Sequence, residues 1–436
     1  LLRYESIIFN SERQTMKTPR LLFQAIPLAL VLCVVTSLSH AEDWTRFRGP
    51  NGTGISSESG FPTAWTREDL EWKTQLPGTG HSSPVTWENS VYVTAADESA
   101  QKLSLLAINA SDGTIKWKRD YPYAPLRLHP SNSHATSSPV VNENGIYFIV
   151  FGSGQCDVVA LDFDGNERWR RDFGRSITQH GPGTSPIIYD NKLIFPYENL
   201  ENNEGLLGQW YALDCDSGET LWKLARENSS KTSCAAPCVY TAKNGQDWII
   251  FSSFAHGLTA VDPDNGKVVW EIQTDRPARV VSSPVLAGDL IITTNGGGSR
   301  YELLTAVLPD DSGASSPKTV YTQDQKHVPY VPTSIAVNDL LFHFQDDGYI
   351  SCAEIATGKI LWSERHRGGF SGSPVLAGDH LYCINSRGQV VVIEASETYN
   401  HIATNDLGER SQATPAIADG KMFLRTESTL SCLAVQ

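Results

Sequence analysis

The sequence predicts an all-β chain folded as an eight-bladed β-propeller, and three observations carry that prediction. The tetrapeptide Ser-Ser-Pro-Val recurs at 82–85, 137–140 and 282–285, with near copies at 184–187 and 372–375. Each copy leads into short apolar strands, four to a repeat of 40–55 residues, with no helical periodicity between them. A glycine turn followed by a tryptophan-bearing strand closes most repeats. Together these are the signature of propeller blades.

The proline of the tetrapeptide anchors the first element of each repeat. Stepping along the chain gives Pro84, Pro139, Pro186, Pro237, Pro284, Ser334, Pro374 and Pro415, at spacings of 55, 47, 51, 47, 50, 40 and 41 residues. Proline cannot donate to a strand ladder and is confined to edges, first residues and bulges. The innermost strand of a blade, with one edge on the central channel, is therefore where the anchor belongs. Turn-forming groups such as Trp-Glu-Asn after Pro84 and Ala-Gly-Asp after Pro284 and Pro374 then close a hairpin.

The second strand follows every turn, as in Val-Tyr-Val-Thr at 91–94 and Leu-Ile-Ile-Thr-Thr at 290–294. The third runs into the pattern A-x-[DN]-x-x-x-G-x-x-x-W, which fits Ala107 to Trp117, Ala212 to Trp222 and Ala260 to Trp270. It recurs one residue shorter at Ala160 to Trp169, and with Cys352 and Glu354 substituted before Trp362. Blades five and seven depart from it, with Tyr321 and Ile402 near the tryptophan position.

Closure sets the count at eight. The last repeat ends after three strands, while a spare tryptophan strand, Asp-Leu-Glu-Trp-Lys-Thr-Gln-Leu with Trp72, stands at the start. Pairing the two closes the ring and removes an open sheet edge. Trp72, Trp117, Trp169, Trp222, Trp270 and Trp362 are thus expected to dock between blades.

The Ala-Asp-Gly-Trp pattern resembles the hallmark of the pyrroloquinoline quinone (PQQ) enzyme-type propeller family over about residues 67–436, and residues 44–56 resemble the mature start of secreted PQQ-repeat proteins. The resemblance implies either of two kinds of function. Some members are calcium- and quinone-dependent alcohol dehydrogenases; others are cofactor-free scaffolds such as the outer-membrane assembly protein BamB.

Composition narrows the partners. Lys and Arg number 35 against 49 for Asp and Glu, a net charge of −14 that disfavours a grip on nucleic acid. Met16, Lys17 and Arg20 precede the apolar run 21–35, and Ser39-His40-Ala41 provides small residues for cleavage, so residues 1–41 read as an export leader, with Met16 as an alternative start. The run is short for a membrane span, which needs about 20 residues. A soluble mature chain in the periplasm or outside the cell is expected, with an N-terminal extension at 42–66. Seven cysteines follow the leader without a CxxC spacing and read as buried thiols.

The chemistry implied by the dehydrogenase members is hard to place. Their adjacent-cysteine disulfide is missing, and neither a calcium set nor a base maps onto the chain. Asp-Phe-Asp-Gly-Asn at 162–166 looks like a calcium loop but stands at the turn of its repeat, where Asp-Cys-Asp-Ser-Gly stands in blade three. The glycine-rich segment 295–299 leads into a strand, so it lacks the helix N-terminus that cradles phosphate. No cofactor is therefore expected, with PQQ and calcium as the alternative.

Basic residues form the better pattern. His81, His134, His180 and His327 fall three to seven residues before an anchor, and Arg279 and Arg410 five before theirs. These connections end at the channel mouth, where imidazole and guanidinium groups suit an anionic ligand or, for histidine, a metal. Long insertions at 118–138 and 197–208 belong to the same face, and the segment Arg46–Gly52 is expected to pack under the ring. The function expected is a non-catalytic binding scaffold of the cell envelope that holds a protein or polymer. The alternatives are the quinone oxidoreductase and a carbohydrate-active enzyme; a glycosidase would require two carboxylates roughly 5–9.5 Å apart.

Overall fold

A computed structural model describes residues 43–435 apart from 176–177, 179, 182, 199–206, 230, 298–301, 313–315 and 325–326. The leader and most of the 197–208 insertion lie outside the described residues. Eight separate four-stranded antiparallel sheets account for 32 strands, and two one-turn 3-10 helices, Pro50–Gly52 and Arg67–Asp69, complete the regular structure among the described residues.

Blade 1 shows the plan: Val85–Trp87, Ser90–Asp97, Lys102–Asn109 and Ile115–Pro122 pair in sequence order from the channel outward. In each blade the innermost strand begins directly after the anchor. Blade 8 pairs Ala416–Ala418, Lys421–Arg425 and Thr429–Ala434 with the N-terminal strand Trp72–Gln75, so the ring closes as expected. Blades 5 and 7 also have their outer strands, Lys318–Asp324 and His401–Asp406.

Apolar side chains wedge between neighbouring blades. Tyr92, Leu105 and Ala107 of blade 1 meet Ile146, Phe148 and Val159 of blade 2 in one such wedge. Around the rim, Trp72, Trp117, Trp169 and Trp222 each dock on the glycine turn of the following blade, while the Trp362 indole donates to the Ser396 carbonyl of blade 7. The indole N–H of Trp169 donates to the carbonyl of Cys215 (2.9 Å), and its ring covers Gly218. Gly218 has φ +71°, and a Cβ there would lie 2.7 Å from that ring, which is why the motif requires glycine. Gly165 serves Trp117 in the same way, so Asp162–Asn166 is a turn, with the Asp162 carboxylate accepting the Asn166 N–H.

The two irregular blades have local causes. Tyr321 stands opposite Ala306 at the tryptophan position and reaches the Ile355 carbonyl through its hydroxyl. In blade 7 the bulge puts Ala403, not Ile402, opposite Val392. Blade 8 takes its outer strand from the N-terminus and has no following turn for a tryptophan to cover. The extension packs there instead: Trp65 shares the core around Ala403, and its backbone N–H donates to Asn405.

The extension crosses the channel as a floor. Arg46 donates to the carbonyl of Pro237 in blade 4, and Arg48 donates to those of Thr333 and Ser334 in blade 6. Thr45 accepts from Val141 in blade 2, and Asn51 exchanges two bonds with Val239. The segment expected to pack under the ring does so.

Candidate functional site: a chamber at the channel mouth

Above this floor, the channel widens into a chamber of about 750 Å³ with the Phe47 side chain at its base. Its lowest wall is built from the residue immediately before each anchor: Ser83, Ser138, Ser185, Ala236, Ser283, Thr333, Ser373 and Thr414. All but Ser283 line the chamber.

These residues answer why the tetrapeptide repeats. The N–H of Ser83 donates to the Ser138 hydroxyl (2.8 Å), and that of Ser138 donates to the Ser185 hydroxyl (3.0 Å). The Ala236 N–H reaches Ser283 (3.1 Å), Ser283 reaches Thr333 (3.0 Å), and Thr333 reaches Ser373 (2.9 Å). Ser373 reaches Thr414 (2.9 Å), and Thr414 returns to Ser83 (3.1 Å). Seven of the eight neighbouring blade pairs are tied this way around the axis. The single break is at Ala236, which has no hydroxyl for the Ser185 N–H.

Higher on the wall stand the ionisable groups. Of the six basic residues singled out in the sequence, His81, His180, Arg279 and Arg410 line the chamber. His134 does not: it is buried in the wall with its ring stacked on Tyr123 at 4.1 Å, because the apolar wedge between blades 1 and 2 captures it. His327 also stands off the lining, within electrostatic reach of buried His343.

His129, which sequence spacing did not reveal, joins the lining. Its ring meets that of His180 edge-on at 5.4 Å, and its N–H donates to the His180 carbonyl. Its only signal in the sequence was its place in the long 118–138 connection.

Electrostatics divides the basic groups into two stations. Burial, then the charges of Arg425 and Arg410, hold His81 down at about 4. Burial, then Arg279, His129 and Arg127, lowers His180. Arg410 with His81 is one station; Arg279 with His180 and His129 is the other.

Asp346 is the one carboxylate on the chamber lining among the described residues. It accepts the backbone N–H groups of Tyr330 (2.8 Å) and Val331 (3.2 Å), yet it faces water in the chamber. Enclosure by the surrounding protein raises it to about 6, against the lowering effect of those bonds. Cys234 lines the same wall, its thiol pushed up to about 11 by burial.

The fold and its docking motif define a PQQ-repeat propeller. A family profile described as outer membrane protein assembly factor BamB matches residues 55–145, 130–328 and 328–433, and the chain belongs to that family. BamB from Moraxella catarrhalis superposes with a TM-score of 0.58 at 15% identity, over 83% of this chain and 98% of that one. The quinohemoprotein alcohol dehydrogenase ADHIIG of Pseudomonas putida HK5 gives 0.59 at 11% identity, over 90% and 80%. The computationally designed protein Ika8 gives 0.57 at 12% identity, over 83% and 98%. At these identities the likeness is one of fold. No curated protein sequence matches the chain.

The lining does not fit a calcium-bound quinone. Calcium takes six to eight oxygen ligands, commonly including carboxylates. Among the described residues Asp346 is the single carboxylate on the lining, and no group of three His, Cys, Asp or Glu side chains converges. Among the described residues no tryptophan lines the chamber to form a quinone platform, and the seven described cysteines are all free thiols. A lone lining carboxylate also falls short of the pair that a glycosidase requires; its neighbour Glu302 is buried behind the lining.

Proposed function

We propose that the protein acts by binding: a segment of a partner protein or polymer in the cell envelope enters the chamber and is held there without being chemically changed. The observation that carries this reading is the chamber itself, a preformed concave site of ligand size on the channel axis above the floor of the extension, with five basic side chains and one carboxylate among the described residues of its lining. The family description, outer membrane protein assembly factor, supports an envelope setting, as does the export leader expected at residues 1–41.

Two measurements test it. Equilibrium dialysis against PQQ with and without calcium, followed by a dye-linked alcohol oxidation assay, is expected to show neither saturable calcium-dependent binding nor turnover. Both together would make the protein a quinone oxidoreductase. A photo-crosslinking side chain at Ser131, on the chamber lining, is expected to give a discrete adduct in the cell envelope, and the same group at exposed Leu221 on the outer rim is not. Equal labelling from both positions would overturn the binding reading.

A further inference from the structure

The hydroxyl ring does more than tie blades together. A serine or threonine hydroxyl carries one O–H donor and two acceptor lone pairs. In the ring each hydroxyl is engaged as an acceptor, from the backbone N–H of a neighbouring blade. None of the seven donates to another group of the protein among the described residues, so their O–H hydrogens remain to be given. All seven are residues at most 7% exposed, and six of them line the chamber: Ser83, Ser138, Ser185, Thr333, Ser373 and Thr414.

Such a ring is a set of donors facing one space. A backbone N–H already occupies an acceptor direction on each oxygen, which leaves the O–H to turn toward a guest. Above it stand Arg410 with His81, before blades 8 and 1, and Arg279 with His180 and His129, on the other station. Among the described residues Asp346 is the one carboxylate that faces them, in a chain whose overall charge is −14. The guanidinium groups are the standing positive charges of this concave site, and in an acidic protein they focus the field on an anion.

A metal cation would meet the guanidinium charge and, among the described residues, one carboxylate. A neutral guest would use the hydroxyls but not the charge of Arg410. Oxygen-rich anions use both.

We propose that the group entering the chamber is a polyanion, whose carboxylate or phosphate oxygens accept the O–H hydrogens of the ring while Arg410 neutralises its charge from the mouth. This rests on the binding reading above and names the chemistry of what is bound. It requires no calcium.

The test is calorimetric titration of the purified protein, in a metal chelator at low salt, with inorganic pyrophosphate and with citrate, and with maltotriose as the neutral probe. At least one anion is expected to bind saturably at one site per chain, weakening as salt is added, and maltotriose is not. Binding by pyrophosphate alone assigns the phosphate source, by citrate alone the carboxylate source, and by both the shared oxyanion chemistry. Arg410→Gln is expected to weaken binding at least tenfold with an unchanged melting temperature, since that side chain is exposed at the mouth. Thr414→Val, which keeps the shape and removes the hydroxyl, is expected to weaken it about fivefold, with thermal melting monitoring the lost blade contact. Failure of both anions, or unchanged affinity in Arg410→Gln, overturns the inference. Heat from maltotriose alone would do so while leaving the binding reading in place.

Discussion

The two ends of the channel use arginine in opposite ways. At the floor, Arg46 and Arg48 are buried and spend their N–H groups on backbone carbonyls of blades 4 and 6 and of the extension itself. Burial, with the neighbouring charge of Arg46 adding to it, drags the Arg48 guanidinium down to about 9. At the mouth, Arg410 is exposed and faces the chamber. The floor cations are structural: they satisfy carbonyls that a plug across a propeller would otherwise strand. At the mouth, Arg410 is the exposed guanidinium, whereas Arg279 also contacts the Tyr330 hydroxyl and pairs through its backbone with Gly296.

Mutations can break or sharpen that contrast. Arg48→Ala should have the largest effect, a loss of about 3 kcal/mol in chemical denaturation, because several buried carbonyls lose a charged donor at once. A loss no larger than that of Arg410→Gln would erase the distinction. Gly54→Ala comes next. Its φ is +77°, and a Cβ there would lie 2.8 Å from the Arg48 guanidinium and 3.0 Å from the Pro374 carbonyl. About 2 kcal/mol should be lost, from left-handed backbone strain and overpacking.

Acid should act through the channel wall. His343 is fully buried, hydrogen-bonded to the Ser334 hydroxyl (2.8 Å), and held down at about 3 by burial and then by His327; His81 is held at about 4. Both favour the neutral ring in the folded state, so their contribution is complete above the unfolded value near 6.5 and is lost as pH falls toward 4. Asp346, raised to about 6, works in the other direction and offsets part of the loss. Melting temperature should therefore fall from pH 6.5 to 4, and His343→Gln should flatten the decline. An equal slope in the variant would remove His343 from the account.

Smaller effects come from the ring and the mouth. Ala236→Ser supplies the missing hydroxyl for the Ser185 N–H and should stabilise the protein by about 1 kcal/mol. No gain in thermal melting would mean that the break is not a lost bond. Arg410→Gln should change stability by less than about 0.5 kcal/mol, as at other exposed positions, while weakening anion binding most.

The rim was legible in the sequence because each contact there is local to a motif. A tryptophan, a glycine of positive φ and an alanine before a bulge recur at nearly fixed spacing, and the structure places Trp72, Trp117, Trp169, Trp222, Trp270 and Trp362 in outer strands. Docking also depends on the next blade: Trp270 fits the spacing yet keeps its indole N–H buried without a partner, and the sequence of blade 5 lacks the docking motif there.

The chamber was half legible. Spacing before the anchors found His81, His180, Arg279 and Arg410, yet it also selected His134, whose ring turns away to stack on Tyr123. It passed over His129 and Asp346, which reach the chamber from a long connection and from the turn between Leu340–Phe344 and Tyr349–Glu354. Position along a loop does not specify rotamer or depth, and both depend on neighbours distant in sequence.

By itself the sequence determined the all-β class, the eight blades, the closing N-terminal strand and the docking residues, because repeat period and strand alternation are one-dimensional signals of local geometry. Tertiary structure alone decided that the second residue of Ser-Ser-Pro-Val belts blade to blade, that residues 44–54 floor the channel, and that basic groups from separate blades share one chamber. Those are contacts across the ring axis, between residues as far apart as Ser83 and Thr414, and they exist only once the ring has closed.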